Sequence, residues 1–272
     1  MSNYRFNIES VTTLRLSGKD TLDFLHRIST ANVKQLAPNQ TLPCAFLNAK
    51  GQIICLSYLS RFSEHYELIS FDAPKDSFFQ HLEKYHFSEE LQIEDLSDSF
   101  DYYFTPKPPP ELFSFREDAF EQGYYMRAPS HTPIKDSVPM PPEQYEFLRV
   151  QAGIPIQGKD FTAQEILLEI GRDIAVARNK GCYPGQEVIE RIFTYGSVNK
   201  RLCRLDITGT TPIPTLPYEF RVDEKICLLT SATFNPSSPE KGAALAYLPK
   251  SLWSYPNSFE IIPGFHGKLR PE

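Results

Sequence analysis

The sequence predicts an α+β protein. Helical and strand-like segments alternate along the chain, but without the strand–helix–strand rhythm of a parallel sheet. Short apolar runs are bounded by Gly, Pro and Asn, a pattern that is typical of hairpins and small sheets. The 272 residues exceed what one hydrophobic core usually serves, so two or three subdomains are expected. A hydrophobic fraction of 41% is sufficient for such cores.

The first predicted elements are an amphipathic helix and a hairpin. Asp20 is placed to cap a helix that runs to about Ile28. Two β-like segments, 42–46 and 52–59, flank the sequence Asn-Ala-Lys-Gly, which ends at Gly51. This pattern predicts an antiparallel hairpin in which Gly51 takes the left-handed conformation.

The middle of the chain continues with strands, one helix and a proline-rich crossing. A strand is expected over 66–71 and a helix over 74–86. Further strands are expected within 91–104 and 112–128. Five prolines and few apolar residues in 129–142 predict a surface crossing between subdomains.

Two helices and a small β domain are expected in the second half. One helix runs from residue 143 to Gly153, a natural C-cap. Another begins near Pro184 and is followed by apolar residues at helical spacing. Residues 203–272 offer short β-like runs broken by proline turns, which predicts a small β domain.

Residues 180–187, Lys-Gly-Cys-Tyr-Pro-Gly-Gln-Glu, are the most informative segment. Cys182 is expected just outside a helix N-terminus, where unpaired N–H groups and the helix dipole favour negative charge. Lys180 adds a cation two residues away, so the setting favours the thiolate, which is the nucleophilic and metal-binding form of cysteine. A buried structural cysteine is the alternative, because free cysteines are among the most buried residues.

The octet resembles the K-G-C-Y-x-G-Q-E signature of the YgfZ family, folate-binding proteins tied to iron-sulfur enzyme maintenance and tRNA modification. Five shorter segments resemble further motifs of this family, in the family's order along the chain. They are an L-x-G-x-D opening at 16–20, an L-N-x-x-G hairpin at 47–51, an R-x-x-x-G-I-P segment at 149–155, a basic R-L ending at 200–202 and a T-S-A strand at 230–232.

The resemblance implies an architecture. YgfZ proteins are similar in fold to the T protein of the glycine cleavage system, an aminomethyltransferase in which three subdomains surround a central channel that holds folate. By this resemblance, 1–46 and 143–200 form one discontinuous N-terminal α+β subdomain. Residues 47–142 form an inserted central α+β subdomain, and residues 201–272 form a small, β-barrel-like C-terminal subdomain.

The resemblance also implies site residues. Cys182 and Lys180 are the expected catalytic pair, in which the thiolate attacks or ligates a partner's sulfur or iron species. The expected folate-binding residues are Gly181, Gly185, Gln186, Glu187, Arg149 and Arg201. The glycines permit close backbone approach. The Gln-Glu pair either contacts the pterin edge or caps the helix, and the arginines either meet the glutamyl tail or form ion pairs.

One departure bears on catalysis. The T protein carries an aspartate pair after its N-terminal hairpin, used against the folate-bound one-carbon unit. The corresponding residues 51–56 contain no aspartate, and none occurs between Asp23 and Asp72. Without a carboxylate at that point, aminomethyl transfer lacks its acid/base group, so transferase activity is disfavoured.

We therefore expect a folate-binding accessory factor that supports iron-sulfur enzyme assembly or repair and tRNA modification. Tetrahydrofolate or a derivative is the expected cofactor, and iron-sulfur proteins or their assembly machinery are the expected partners. The alternatives are an aminomethyltransferase-like enzyme and a noncatalytic folate-sensing protein, so enzymatic activity is left open. A cysteine hydrolase is disfavoured, because the sequence brings neither His131 nor His266 to Cys182.

The composition argues against several other classes of protein. The net charge is −6 and no run of Lys and Arg occurs, so strong nonspecific nucleic-acid binding is not expected. Five widely spaced cysteines without a C-x-x-C pattern predict neither a disulfide framework nor a resident metal. No signal peptide, transit peptide or membrane-length apolar run is recognised, which favours a cytoplasmic location.

Overall fold

The computed structural model describes residues 4–108, 111–116, 119, 123–134 and 137–270. Its helices are α1 (Thr21–Ile28), α2 (Lys75–Tyr85), α3 (Pro142–Ala152) and α4 (Gln186–Tyr195). The strands of the first half are β1 (Tyr4–Ile8), β2 (Val11–Ser17), β3 (Thr41–Leu47), β4 (Ile53–Arg61), β5 (His65–Phe71), β6 (Gln92–Asp95), β7 (Phe100–Thr105), β8 (Ser114–Arg116), β9 (Tyr124–Pro129) and β10 (Val138–Pro139). Those of the second half are β11 (Lys200–Gly209), β12 (Tyr218–Val222), β13 (Lys225–Asn235), β14 (Ser238–Pro249), β15 (Phe259–Ile262) and β16 (Phe265–Leu269). Strands predominate, and the fold is α+β, as predicted.

The first sheet has the order β3-β4-β5-β2-β6 and is antiparallel throughout. Helices α1 and α2 cover one face with fully buried side chains such as Phe24, Leu25 and Phe78. The predicted β3–β4 hairpin is confirmed, and Gly51 takes the left-handed conformation with φ +74°. Asp20 precedes α1 but makes no side-chain cap; its Oδ2 accepts a hydrogen bond from Glu90 N at 2.7 Å.

The second sheet has the order β10-β1-β7-β9-β8 and an aromatic core. Its strand β1, which sequence patterning did not reveal, pairs antiparallel with β7, while β2, only two residues further along the chain, lies in the first sheet. The N-terminal segment therefore contributes strands to two sheets.

The predicted subdomain boundary after residue 46 falls inside β3, where a cut would divide a hydrogen-bonded hairpin. The strands expected within 91–104 are β6 and β7, which a 3-10 turn at Ser97–Ser99 separates. Of the predicted strand segment 112–128, residues 117–118 and 120–122 lie outside the described residues.

The third sheet, β12-β13-β14-β11-β16-β15, forms the C-terminal subdomain. Its edge strands β12 and β15 are in contact, and the rings of Phe220 and Phe259 stack with centroids 5.9 Å apart. The sheet therefore nearly closes on itself around its own apolar core, which agrees with the predicted barrel-like form.

Two helix ends decide the geometry around the candidate site. Helix α3 ends as predicted at Gly153, which has φ +77°. Helix α4 begins at Gln186, two residues after the predicted start near Pro184, with Gly185 as its N-cap. A turn occupies the preceding residues, in which Gln186 N donates to Tyr183 O at 3.2 Å. Among the described residues, no helix has both the length and the apolar character needed to cross a membrane.

Candidate functional site

A central cavity of about 690 Å³ lies where the three sheets meet. The loop between β1 and β2, the β3–β4 pair, helix α3, residues 154–161 and β13 all contribute to its wall. Part of the wall is aromatic and consists of Phe6, Tyr58, Phe71, Tyr125, Tyr145 and Phe161. The polar and charged groups of the wall include Asp72, Glu143, Glu146, Gln157, Lys159 and Arg172. A concave, largely apolar space with a few polar groups is typical of a small-molecule site.

Gln157, which lines this cavity, has a buried hydrogen-bond acceptor without a partner. The side chain is 91% buried, since only 9% of the residue is exposed. Its Nε2 donates to Ile54 O at 2.9 Å, but its buried Oε1 accepts no hydrogen bond from the described residues. Buried polar atoms in native proteins nearly always have partners. The aromatic side chains and polar groups of the wall make the cavity suited to a flat heterocycle that carries hydrogen-bonding groups.

Asp72 supplies a carboxylate at the wall of the cavity. It lies directly after β5 with a left-handed φ of +54°, and its backbone N donates to Ser10 O at 2.8 Å. Burial raises its pKa, while the charges of Arg149 and Lys159 act in the opposite direction. The sequence analysis looked for a carboxylate on the β3–β4 hairpin and did not identify Asp72, which follows the next strand, β5. Its only local signal is an Asp-Ala-Pro turn after an apolar run.

Arg149 lies in a buried ion-pair network at the edge of the cavity. The residue is 0% exposed, and its guanidinium donates to Glu146 at 2.6 Å, Asp160 Oδ2 at 2.9 Å and Ser231 Oγ at 2.8 Å. The other oxygen of Asp160 accepts from Thr230 Oγ1 at 2.7 Å and Ser231 Oγ at 2.6 Å. The R-x-x-x-G-I-P and T-S-A segments thus meet here. The geometry favours the ion-pair interpretation of Arg149 over contact with a glutamyl tail.

Gly185 fastens the signature segment to the hairpin turn. A Cβ on Gly185 would lie 2.5 Å from Asn48 O and 2.9 Å from Gly51 Cα, so no side chain fits there. Its φ of +81° also favours glycine. The predicted close backbone approach therefore occurs, between two segments of the chain. Two motifs far apart in sequence form one packed unit.

Lys180 is directed at the end of helix α1. Its Nζ donates to His26 O at 2.5 Å and also to Ser29 O, so it satisfies carbonyls at the C-terminus of that helix. Burial lowers the pKa of this amino group to about 8. The Nζ also lies 5.0 Å from the ring centroid of Tyr183. This lysine therefore holds the signature segment against α1.

Cys182 is exposed and is not among the described residues that line the central cavity. The cavity instead borders Cys44, a buried thiol whose pKa is raised by burial. A Cβ on Gly181, next to Cys182, would lie 3.9 Å from His26 Nε2, so the structure brings a histidine that sequence reasoning missed to the signature turn. Burial lowers the pKa of His26.

The other predicted folate contacts are dispersed. Gln186 is half-buried and Glu187 is exposed in the first turn of α4, and neither is among the described residues that line the central cavity. Arg201 lies at the start of β11, where its guanidinium is 3.8 Å from the carboxylate of Asp173. Among the described residues, no group of three or more metal-ligating side chains is placed to hold a metal ion.

The comparisons with known proteins agree with this geometry. The crystal structure of glycine cleavage system aminomethyltransferase T from Bartonella henselae superposes with a TM-score of 0.79, covering 98% of this chain and 84% of the other at 18% identity. A chloroplast protein of Arabidopsis thaliana, named as a candidate transferase, is 24% identical over 81% of this chain. The mitochondrial IBA57 homolog of Dictyostelium discoideum, an iron-sulfur cluster assembly factor, is 24% identical over 72% of this chain. No protein-family model matches the chain.

The structural likeness establishes the fold as that of aminomethyltransferase T. The chain spans 59% of the Arabidopsis protein and 60% of the Dictyostelium protein. The central cavity fits a folate by the chemistry of its wall, because a pterin is a flat ring with polar edges and the wall combines aromatic side chains with polar groups such as Asp72 and Lys159.

Proposed function

We propose that this protein is a folate-binding accessory factor that supports the assembly or repair of iron-sulfur enzymes. The observation that carries the proposal is the central cavity, with its aromatic wall and the polar groups, such as Asp72, that lie among the rings. The likeness to aminomethyltransferase T and to the Dictyostelium iron-sulfur cluster assembly factor supports the same conclusion. Tetrahydrofolate or a derivative is the proposed ligand.

Different residues of the cavity are proposed to contact different parts of the folate. The aromatic wall covers the pterin ring, and Gln157, whose Oε1 is covered by neighbouring atoms, is proposed to turn that oxygen toward an N–H of the pterin. Asp72 adds an acceptor whose raised pKa lets it hold a proton more readily than an exposed aspartate. When bound, tetrahydrofolate supplies a carrier of one-carbon units. Arg149 positions the wall through its ion pairs with Glu146 and Asp160.

Calorimetric titration with tetrahydrofolate tests the ligand. One-site binding is expected for the native protein. Replacing Gln157 with Leu removes the buried acceptor and is expected to weaken binding about tenfold. Gln92→Leu, at an exposed position of β6, is the matched control and should bind normally. Equal affinity of all three proteins would reject the assignment of Gln157, and absence of binding by the native protein would reject a folate site.

The proposed role of Cys182 is that of an exposed thiol which attacks or ligates a partner's sulfur or iron species. Its position outside the cavity wall leaves it accessible to a second protein while folate is bound. Cys182→Ser is expected to abolish support of iron-sulfur enzyme activity in cells that lack the native protein. Cys203→Ser, a half-buried thiol of the β-barrel, should retain it. Full activity of the Cys182 variant would favour a noncatalytic folate-sensing protein.

An aminomethyltransferase-like activity is the second candidate, and Asp72 is the observation in its favour. This carboxylate lines the cavity from β5, so the wall contains an acid/base group although the hairpin has none. The measurement is the formation of methylene-tetrahydrofolate from an aminomethyl donor. Turnover that is lost in Asp72→Asn would establish this activity, whereas no turnover by the native protein would reject it.

We further propose that iron-sulfur proteins or their assembly machinery are the partners, and that tRNA modification is among the processes served. The net charge of −6 supports an indirect link to tRNA over direct nonspecific binding. A cytoplasmic location is part of the proposal, although the Arabidopsis and Dictyostelium relatives belong to the chloroplast and the mitochondrion. Localisation of the tagged native protein by microscopy tests it directly.

A further inference from the structure

Residues 172–180 form a strap that connects the wall of the central cavity to the signature segment. The structure describes all of the strap, which contains a 3-10 turn but no α-helix or strand. At one end, the buried side chains of Arg172 and Ala175 line the central cavity. At the other end, Lys180 lies two positions before Cys182. One short segment therefore contacts the cavity and leads directly into the turn that carries the exposed thiol.

Thr30 fixes the cavity end of the strap. Its hydroxyl donates to Ala175 O at 2.5 Å and accepts from Ala45 N at 2.8 Å. Its backbone O accepts from Ala177 N at 2.9 Å. Thr30 is 0% exposed, and a buried polar group is costly to leave without its partner. This one residue therefore joins strand β3, the cavity wall and the strap.

Asn32 and Lys180 fix the other end of the strap. Asn32 Nδ2 donates to Asn179 O at 3.3 Å, at the surface of the protein. Lys180 Nζ donates to His26 O at 2.5 Å and also to Ser29 O, both at the end of α1. The strap is thus docked along its length onto the end of α1 and the turn that follows it. The signature turn takes its position from this docking, because it continues directly from the strap.

The strap lies where a ligand in the central cavity can act on it. Segments outside helices and sheets open at a lower free energy than the core. Opening moves Arg172 and Ala175 out of the wall, so a ligand in the cavity binds the docked strap more tightly than the open one. We propose that occupancy of the central cavity holds the strap docked and thereby fixes the position of Cys182, an inference that rests on the proposed folate site. By linkage, a partner that holds Cys182 in this position tightens folate binding to the same degree.

Hydrogen exchange followed by mass spectrometry tests the docking of the strap. The Ala177 amide donates to Thr30 O, so it exchanges when the strap opens. If the open strap binds no ligand, tetrahydrofolate at ten times its calorimetric Kd should slow this exchange about tenfold. Thr30→Val deletes the hydroxyl and should speed the exchange of the free protein about tenfold, and the ligand should slow it again. Thr13→Val removes an equally buried hydroxyl, bonded to Tyr102, and should leave the strap at the native rate.

A nitroxide on Cys182 reports on the thiol itself. In a Cys203→Ser background the label is directed to Cys182, because the remaining cysteines are buried. Its electron paramagnetic resonance spectrum should show a mobile label in the free protein and a less mobile one when tetrahydrofolate is saturating. Asn32→Ala removes only the surface bond to Asn179 and should increase the mobility in the free protein. This second variant keeps the test available if Thr30→Val does not fold.

Calorimetry separates this inference from the proposed function. Absence of binding rejects the folate site, and the inference falls with it. Binding that leaves strap exchange at its free rate overturns the inference and leaves the folate site intact. Slower strap exchange with an unchanged nitroxide spectrum restricts the effect to the cavity end and overturns the link to Cys182. Native strap exchange in both Thr30→Val and Asn32→Ala would show that these contacts do not hold the strap, and would also overturn the inference.

Discussion

Replacing Arg149 with Met tests whether this arginine is structural. The change removes the cation from Asp160, whose side chain is 0% exposed, and leaves that carboxylate with the hydroxyls of Thr230 and Ser231 and the backbone N–H of Ile156. Removing one partner of a buried ion pair typically costs about 3–5 kcal/mol. Glu146 suffers less, because its side chain is 26% exposed and it keeps a bond from Lys159 at 2.7 Å. The loss of unfolding free energy should therefore arise mainly at Asp160.

The assay is urea and thermal unfolding at pH 7, followed by circular dichroism. A loss of 3–5 kcal/mol corresponds to a fall of about 10 °C in Tm for a chain of this size. Lys159→Met, which breaks only an exposed pair, is the control and should lose less than about 1 kcal/mol. Adding Asp160→Asn to the Arg149 variant removes the stranded charge and should recover part of the loss. An Arg149 variant of native stability that fails to bind folate would refute this reasoning and make the arginine a ligand residue.

Three further predictions concern the signature turn, the cavity acid and the thiols. Gly185→Ala places a Cβ against the hairpin turn at positive φ and should destabilise the protein by about 1–3 kcal/mol, whereas Gly196→Ala, with nothing within 4 Å, should be nearly neutral by the same urea assay. Since burial raises the folded-state pKa of Asp72, the stability of the native protein should fall as pH rises through that pKa. Asp72→Asn should lack this decline. Stability curves of the two proteins that run parallel from pH 4 to 8 would contradict the prediction. Iodoacetamide with mass spectrometry should modify Cys182 first in the native protein, and only unfolding should expose the buried thiols Cys44, Cys55 and Cys227.

Local patterns allowed much of the fold to be predicted. Helices α1, α2 and α3 and the β3–β4 hairpin all appear near their expected positions. Gly51 and Gly153 take the expected left-handed conformation. Each of these features depends on periodicity or turn chemistry within a few residues, so the sequence contains its own evidence for them. Helix α4 begins two residues after Pro184, because a proline is equally compatible with a turn and with a first helical position.

The candidate site was accessible to sequence reasoning only in part. The signature and hairpin motifs were recognised as separate segments, and the contact of Gly185 with the hairpin turn joins them in space. Lys180 was expected to serve the thiol, but its amino group is hydrogen-bonded to carbonyls at the end of α1. That partner is more than 150 positions away in the chain, so no local pattern predicts it.

The sequence by itself determined the α+β class, the helices, the hairpin and the motifs that resemble those of the YgfZ family. Tertiary structure alone decided which side chains share the central cavity. Asp72 and Gln157 belong to segments with weak local signals, and Arg172 gains its importance only because it lines the same cavity from the strap. The physical reason is that helix and turn preferences act over a few residues, whereas a cavity wall is assembled from segments that long-range burial brings together.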